Sequence, residues 1–165
     1  MNLSAIDIVL SFTAALLLHE MGHFVAARVC RVPVIEAGIG WGPRLLCIRI
    51  HGIDYHLRLL PLGAYIRMNM EALRQRPLTQ QLFVLLAGIA VNLILGVITW
   101  GTLFSTLNLA LAVGNLFPFY QLDGWKSGIV IFRRVFRGPS PLVEWSFTIV
   151  FGLAGLALFA IGFRG

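Results

Sequence analysis

The chain has 165 residues, enough for one domain, of which 58% are hydrophobic and only 12% charged, with a formal net charge of +6. That balance excludes an ordinary water-soluble domain, whose surface would carry about twice the charge. With no aromatic–basic interleaving and no nucleic-acid motif, it also excludes nucleic acid as the partner for the positive charge.

The first apolar segment, residues 3–29, is long enough to cross a hydrocarbon core of ~30 Å at ~1.5 Å per residue. It has no basic n-region and no small-residue cleavage site, so a retained helix is expected rather than a signal peptide. Towards its end stand His19, Glu20 and His23, in the string His19-Glu20-Met21-Gly22-His23. Residues four apart share a helical face, so the two imidazoles can bind one metal ion while Glu20, on a neighbouring flank, can take a proton from water. An ionised group at this depth costs ~2.5–3.5 kcal/mol on insertion scales, which makes a functional cluster the better reading than side chains that only satisfy one another.

Residues 32–78 are neither continuously apolar nor helical in period. Ile48 and Ile50 alternate with Cys47, Arg49 and His51, and after His51-Gly52-Ile53-Asp54 the residues Leu57 and Leu59 alternate with His56 and Arg58. Alternation around a glycine-containing turn predicts a β-hairpin over about 38–67. Cys30 and Cys47 make no C-x-x-C pair and read as small apolar filling.

Further apolar runs cover 82–107, 109–136 and 142–163. The expected fold is therefore an all-α polytopic membrane protein of about four transmembrane helices, with a membrane-associated β-hairpin between the first and second, in a single domain over 1–165. Eight arginines (28, 31, 44, 49, 58, 67, 74 and 76) fall between the first two spans, and Lys126, Arg133, Arg134 and Arg137 fall between the last two. The positive-inside rule places both groups in the cytoplasm and the N-terminus outside.

Two histidines leave a catalytic zinc site one protein ligand short. His51, His56 and Glu36 could serve only if the hairpin folded back into the membrane. Asp123 is better placed, in a span interrupted at Pro118, since broken helices at membrane depth line cavities and hold ions. Asp123 could also cap a helix restarting at Gly124.

His19-Glu20-Met21-Gly22-His23, followed by Asn115-x-x-Pro118-x-x-x-Leu122-Asp123-Gly124, resembles the site-2 protease family of intramembrane zinc metalloproteases. Leu60-Pro61-Leu62-Gly63-Ala64-Tyr65-Ile66-Arg67-Met68 is similar to the family's segment after its hairpin, and Gly88-x-x-x-Asn92 to its middle-helix motif. The likeness covers roughly 10–137. Where the family often has Gly-Gly and a proline, this chain has Gly63-Ala64 and Ile89; neither change removes a ligand.

The resemblance implies a minimal form without PDZ or CBS domain, in a prokaryotic plasma membrane with its active site towards the cytoplasm. It implies one Zn2+ per chain on His19, His23 and Asp123, with Glu20 as the catalytic base. Asn92 and Asn115 become candidates for contact with substrate or oxyanion. The implied reaction is hydrolysis of peptide bonds in or near transmembrane segments, with a membrane protein as substrate, the bilayer as solvent and a regulatory membrane protein controlling access. An unwound substrate could pair with the hairpin edge. The alternative is a non-catalytic, zinc-containing scaffold or substrate-binding relative, against which the retention of Glu20 counts.

Overall fold

The computed structural model describes residues 4–117, 119–136, 142, 145–146 and 148–154. Helix α1 runs Ala5–Val29 and begins in a capping box, in which Ser4 accepts from the Asp7 amide and Asp7 accepts from the Ser4 amide. Such reciprocal pairing satisfies amide donors that a helix start otherwise leaves unpaired. Strands β1 (Val34–Ile50) and β2 (Ile53–Met68) follow, joined at His51 and Gly52, whose φ values of 51° and 81° give the two-residue turn that matches strand twist.

The hairpin is curled rather than flat. Glu36–Ile39 pair on one side with Ala64–Arg67 and on the other with Asp54–Leu57, while Leu46–Ile50 pair with Ile53–Leu57. The short helix α2 (Met70–Arg74), capped by Asn69, leads into α3 (Leu78–Ile98). After a turn at Thr99–Thr102, α4 occupies Leu103–Leu116, and α5 occupies Asp123–Val135.

The all-α, four-span expectation is corrected by these elements. Two strands of 17 and 16 residues form a sheet, and among the described residues only α1 and α3 are long and apolar enough to cross a membrane. The run 109–136 is not one span. Its chain leaves the helix at Phe117, passes through Gln121 with φ 74°, and restarts at Asp123. At ~1.5 Å per residue, neither α4 nor α5 reaches the ~30 Å of a hydrocarbon core. Residues 103–107, expected at the end of the 82–107 run, belong instead to α4. Thr102 caps that helix through the Ser105 amide, after Gly101 at φ 82° has ended the preceding turn. The expected interruption at Pro118, and most of the expected 142–163 span, lie outside the described residues.

Helix α3 is central and packs against α1, α4 and α5, while β2 lies along α1. Small residues allow the close approach. A Cβ at Gly22 of α1 would lie 2.8 Å from the Ala87 carbonyl oxygen of α3. The best-packed apolar cluster joins the end of α1 (Ala26, Ala27) to Val32, Val34, Ile53, Leu73, Val84 and Leu85. Elsewhere large apolar side chains face outward, as at Ile6, Leu10, Val97 and Ile98.

Candidate metal centre

Three side chains from two helices separated by about a hundred residues meet beside α3. His19 Nε2 lies 3.0 Å and His23 Nε2 2.9 Å from Asp123 Oδ2, with 3.2 Å between the two ring nitrogens. All three residues are at most 6% exposed. Helical periodicity stacks the histidines on one face of α1, and the restart of α5 at Asp123 turns its carboxylate towards them.

Proton placement shows why these atoms need a cation between them. His23 Nδ1 donates to the Val84 carbonyl at 2.8 Å, which leaves Nε2 as a bare lone pair aimed at a carboxylate oxygen. A lone pair facing an anion is unfavourable unless a proton or metal ion lies between. For His19 the proton position follows the orientation of the Asn92 amide. The Asn92 amide lies 3.2 Å from His19 Nδ1, and Asn92 Oδ1 has no partner among the described residues although Asn92 is fully buried. Turning that amide over lets Oδ1 accept from Nδ1–H and frees His19 Nε2 in turn. The three donor atoms then stand near the ~3.3 Å edge expected for a tetrahedron with ligands ~2.0–2.1 Å from zinc. The residues fit a zinc ion.

The surrounding shell supports that geometry. Lys126 Nζ holds the other Asp123 oxygen at 3.2 Å, leaving Oδ2 for the centre. A Cβ at Gly88 would lie 2.5 Å from His23 Nε2 and 2.8 Å from His19 Nε2, so only glycine leaves room for the rings. Glu20 sits on the neighbouring flank, its Oε2 accepting from the Ile66 amide of β2 at 3.1 Å. Glu20, His23, Asp123, Lys126, Arg67 and Ile66 line a common cavity of about 210 Å3.

The other candidates lie elsewhere. Asn115 donates back to the Leu111 carbonyl within α4 at 3.0 Å. His51 occupies the hairpin turn, and His56 and Glu36 contact each other at 3.2 Å inside the sheet. Around Glu36 a polar network has formed. Tyr65 donates to it at 2.6 Å, Arg67 at 2.9 Å, and Arg44 lies 3.9 Å away. The Tyr65 hydrogen bond, followed by the charges of Arg67, His56 and Arg44, holds the Glu36 carboxyl below its ordinary value, while burial opposes that shift.

Val84, Lys126, Ile66 and the Glu36 network were not picked out from the sequence as parts of a site. For α3 a signal was present, since Val84, Gly88 and Asn92 are four apart and share one face. The backbone amide of Ile66 left no such trace.

A family model described as peptidase family M50 matches residues 7–107. That stretch contains His19, Glu20, His23, the hairpin and Asn92 but stops short of Asp123, whose place in the centre rests on geometry. Among curated proteins, a candidate zinc metalloprotease of Clostridium perfringens is 33% identical over 97 residues, covering 54% of this chain and 29% of the relative. One of Treponema pallidum is 46% identical over 66 residues, covering 40% and 15%. An Arabidopsis thaliana protein, named as a candidate chloroplastic membrane metalloprotease, is 29% identical over 128 residues, covering 70% and 28%. The chain thus spans under a third of the length of each of these relatives.

Proposed function

The chain belongs to peptidase family M50, and we propose that it is a zinc metalloendopeptidase that hydrolyses peptide bonds in or beside transmembrane segments of membrane proteins. One observation carries the reading: His19, His23 and Asp123 are buried with ligand atoms within 4.8 Å of one another, and His23 and Asp123 line a cavity with the carboxylate of Glu20, beside two span-length apolar helices. A single Zn2+ on His19, His23 and Asp123 would keep a net positive charge and supply Lewis acidity towards a water molecule and a peptide carbonyl.

The chain's own residues do the rest. Glu20 takes the proton of the attacking water and returns it to the leaving amine. Asn92 orients His19 rather than touching substrate, as the amide contact with Nδ1 favours. Asn115 is kept as a substrate contact, which requires that it exchange its bond to Leu111 for one to the substrate. Transmembrane substrates hide their carbonyls in helical hydrogen bonds and must unwind first. The 64–68 segment of β2 offers an edge for the unwound stretch, because its Ile66 amide already points at Glu20. A substrate carbonyl that took this amide would also release Glu20.

On the positive-inside rule the arginines between α1 and α3 put the catalytic end of α1 towards the cytoplasm of a prokaryotic plasma membrane, with the N-terminus outside. Access would be controlled by a partner membrane protein. The test is Glu20→Gln in purified protein with a single-span substrate. Cleavage should fall about 10^2- to 10^4-fold while zinc stays bound; full activity would leave the zinc-containing scaffold as the reading.

A further inference from the structure

The cavity at the metal centre is continued by two others that share walls with it in turn. A small one, of about 100 Å3, has Met70 and Lys126 in common with the metal cavity. It has Arg74, Gln81, Val130 and Arg133 in common with a large one of about 720 Å3. The series follows α5. Lys126, Val130, Arg133 and Arg134 stand at i, i+4, i+7 and i+8, which puts them on one face of that helix. Arg74 of α2 and Leu78 and Gln81 of α3 form the opposite wall of the large cavity.

The large cavity is strongly basic. Arg74, Arg76, Arg133 and Arg134 line it, and the one acid among its described lining residues, Glu71, lies 3.6 Å from Arg74. Arginines that serve only to orient a helix face headgroups along the bilayer surface, whereas Arg76, Arg133 and Arg134 are half-buried in a cavity wall. Four like charges around one space repel one another unless an anion enters it. Lys126 carries the same sign back to the metal centre, where its Nζ lies 3.2 Å from Asp123 Oδ1.

We propose that this basic track binds an acidic segment of the substrate on one side of the cleaved bond, and so selects membrane proteins whose flanking segment is acidic. From Asp123 to Arg133 the helix rises ~15 Å at ~1.5 Å per residue, a distance that an extended peptide covers in about five residues. Glutamate or aspartate about five positions from the bond therefore reaches the arginines. Ordinary transmembrane segments carry Lys or Arg on their cytoplasmic side. Such flanks meet like charge here and are disfavoured. The inference rests on the peptidase reading and its cytoplasmic orientation, and adds a recognition element outside the metal ligands.

The experiment uses single-span peptides in phosphatidylcholine nanodiscs, carrying Glu, Gln or Lys at about the fourth to sixth positions on either side of the cleaved bond. Cleavage by the zinc-loaded protein is measured alongside equilibrium binding to its Glu20→Gln variant. On one side Glu should exceed Gln by about tenfold in both, the worth of two or three partly screened ion pairs, and Lys should fall below Gln. Arg74→Gln with Arg134→Gln should cut the Glu preference to about threefold or less, while Arg74→Lys with Arg134→Lys, which keeps both charges, should preserve it. Equal treatment of the three peptides on both sides would overturn the proposal, as would a Glu preference undiminished by Arg74→Gln with Arg134→Gln. Equal peptide binding, with retention of phosphatidylglycerol over phosphatidylcholine that is lost in the same double variant, would overturn it in favour of a lipid headgroup. Glu-selective binding with no cleavage of any peptide would uphold the track and sink the peptidase reading.

Discussion

The metal centre and the hairpin each bury a carboxylate against histidine, yet the two contacts have opposite chemistry. Around Asp123 the His23 proton is committed away from it, to Val84, and with the Asn92 amide turned over the His19 proton is too, so that lone pairs converge on an anion. Around Glu36 every neighbour is a donor or a cation: Tyr65, Arg67, Arg44 and the Nε2–H of His56. The first arrangement is electrostatically incomplete without a proton or metal ion between its groups, and the second is complete within the protein. A buried histidine–carboxylate contact is therefore evidence for a metal only once the other ring nitrogen has been followed to its partner.

Breaking the first arrangement should change metal binding, and among changes that leave the three ligands in place the largest effect is expected at Gly88. In Gly88→Ala the new methyl group would press on both ring nitrogens, and zinc affinity measured by chelator competition should drop by about 100-fold. Unchanged affinity would mean that the rings do not face α3 closely. Asn92→Ala should cost less, about tenfold in affinity, since it leaves His19 free to rotate without blocking it. Asn92→Asp, which keeps an acceptor, should recover much of that loss.

Changes in the second arrangement should alter stability and pH response while zinc affinity stays put. Tyr65→Phe removes the shortest bond to Glu36 and should lower stability by about 1 kcal/mol in a denaturant titration. A Glu36 carboxyl held below its ordinary value of 4.5 contributes stability that is present above about pH 4.5 and is lost as pH falls through the depressed value. Tyr65→Phe should consequently shift the acid-induced loss of hairpin structure, followed by circular dichroism, to higher pH. An acid midpoint insensitive to both Tyr65→Phe and Glu36→Gln would show that this network does not hold the hairpin.

Much of the centre was legible because helices repeat. His19 and His23 are a turn apart, and the apolar run around them marks a span. Asp123 could be paired with them because a carboxylate in an interrupted apolar stretch is conspicuous. The fold was less legible for the same reason: hydrophobicity carried 109–136 as one span, though one interrupted at Pro118, where two short helices stand at Leu103–Leu116 and Asp123–Val135. At Trp100-Gly101-Thr102 the sequence held both a helix stop and a helix start, which apolar counting overrode. The curl of the hairpin could not be read, since Glu36 meets His56 and Tyr65 only through long-range pairing. The Ile66 amide beside Glu20 was hidden too, because backbone donors look alike in any sequence.

The most direct measurement is the zinc content of purified protein, unmodified and as Asp123→Ala, with cleavage of a single-span substrate followed in parallel. A centre assembled from α1 and α5 predicts about one zinc per chain with cleavage in the unmodified protein, and loss of both in Asp123→Ala. Zinc retained at full stoichiometry in Asp123→Ala would contradict it and place the third ligand elsewhere.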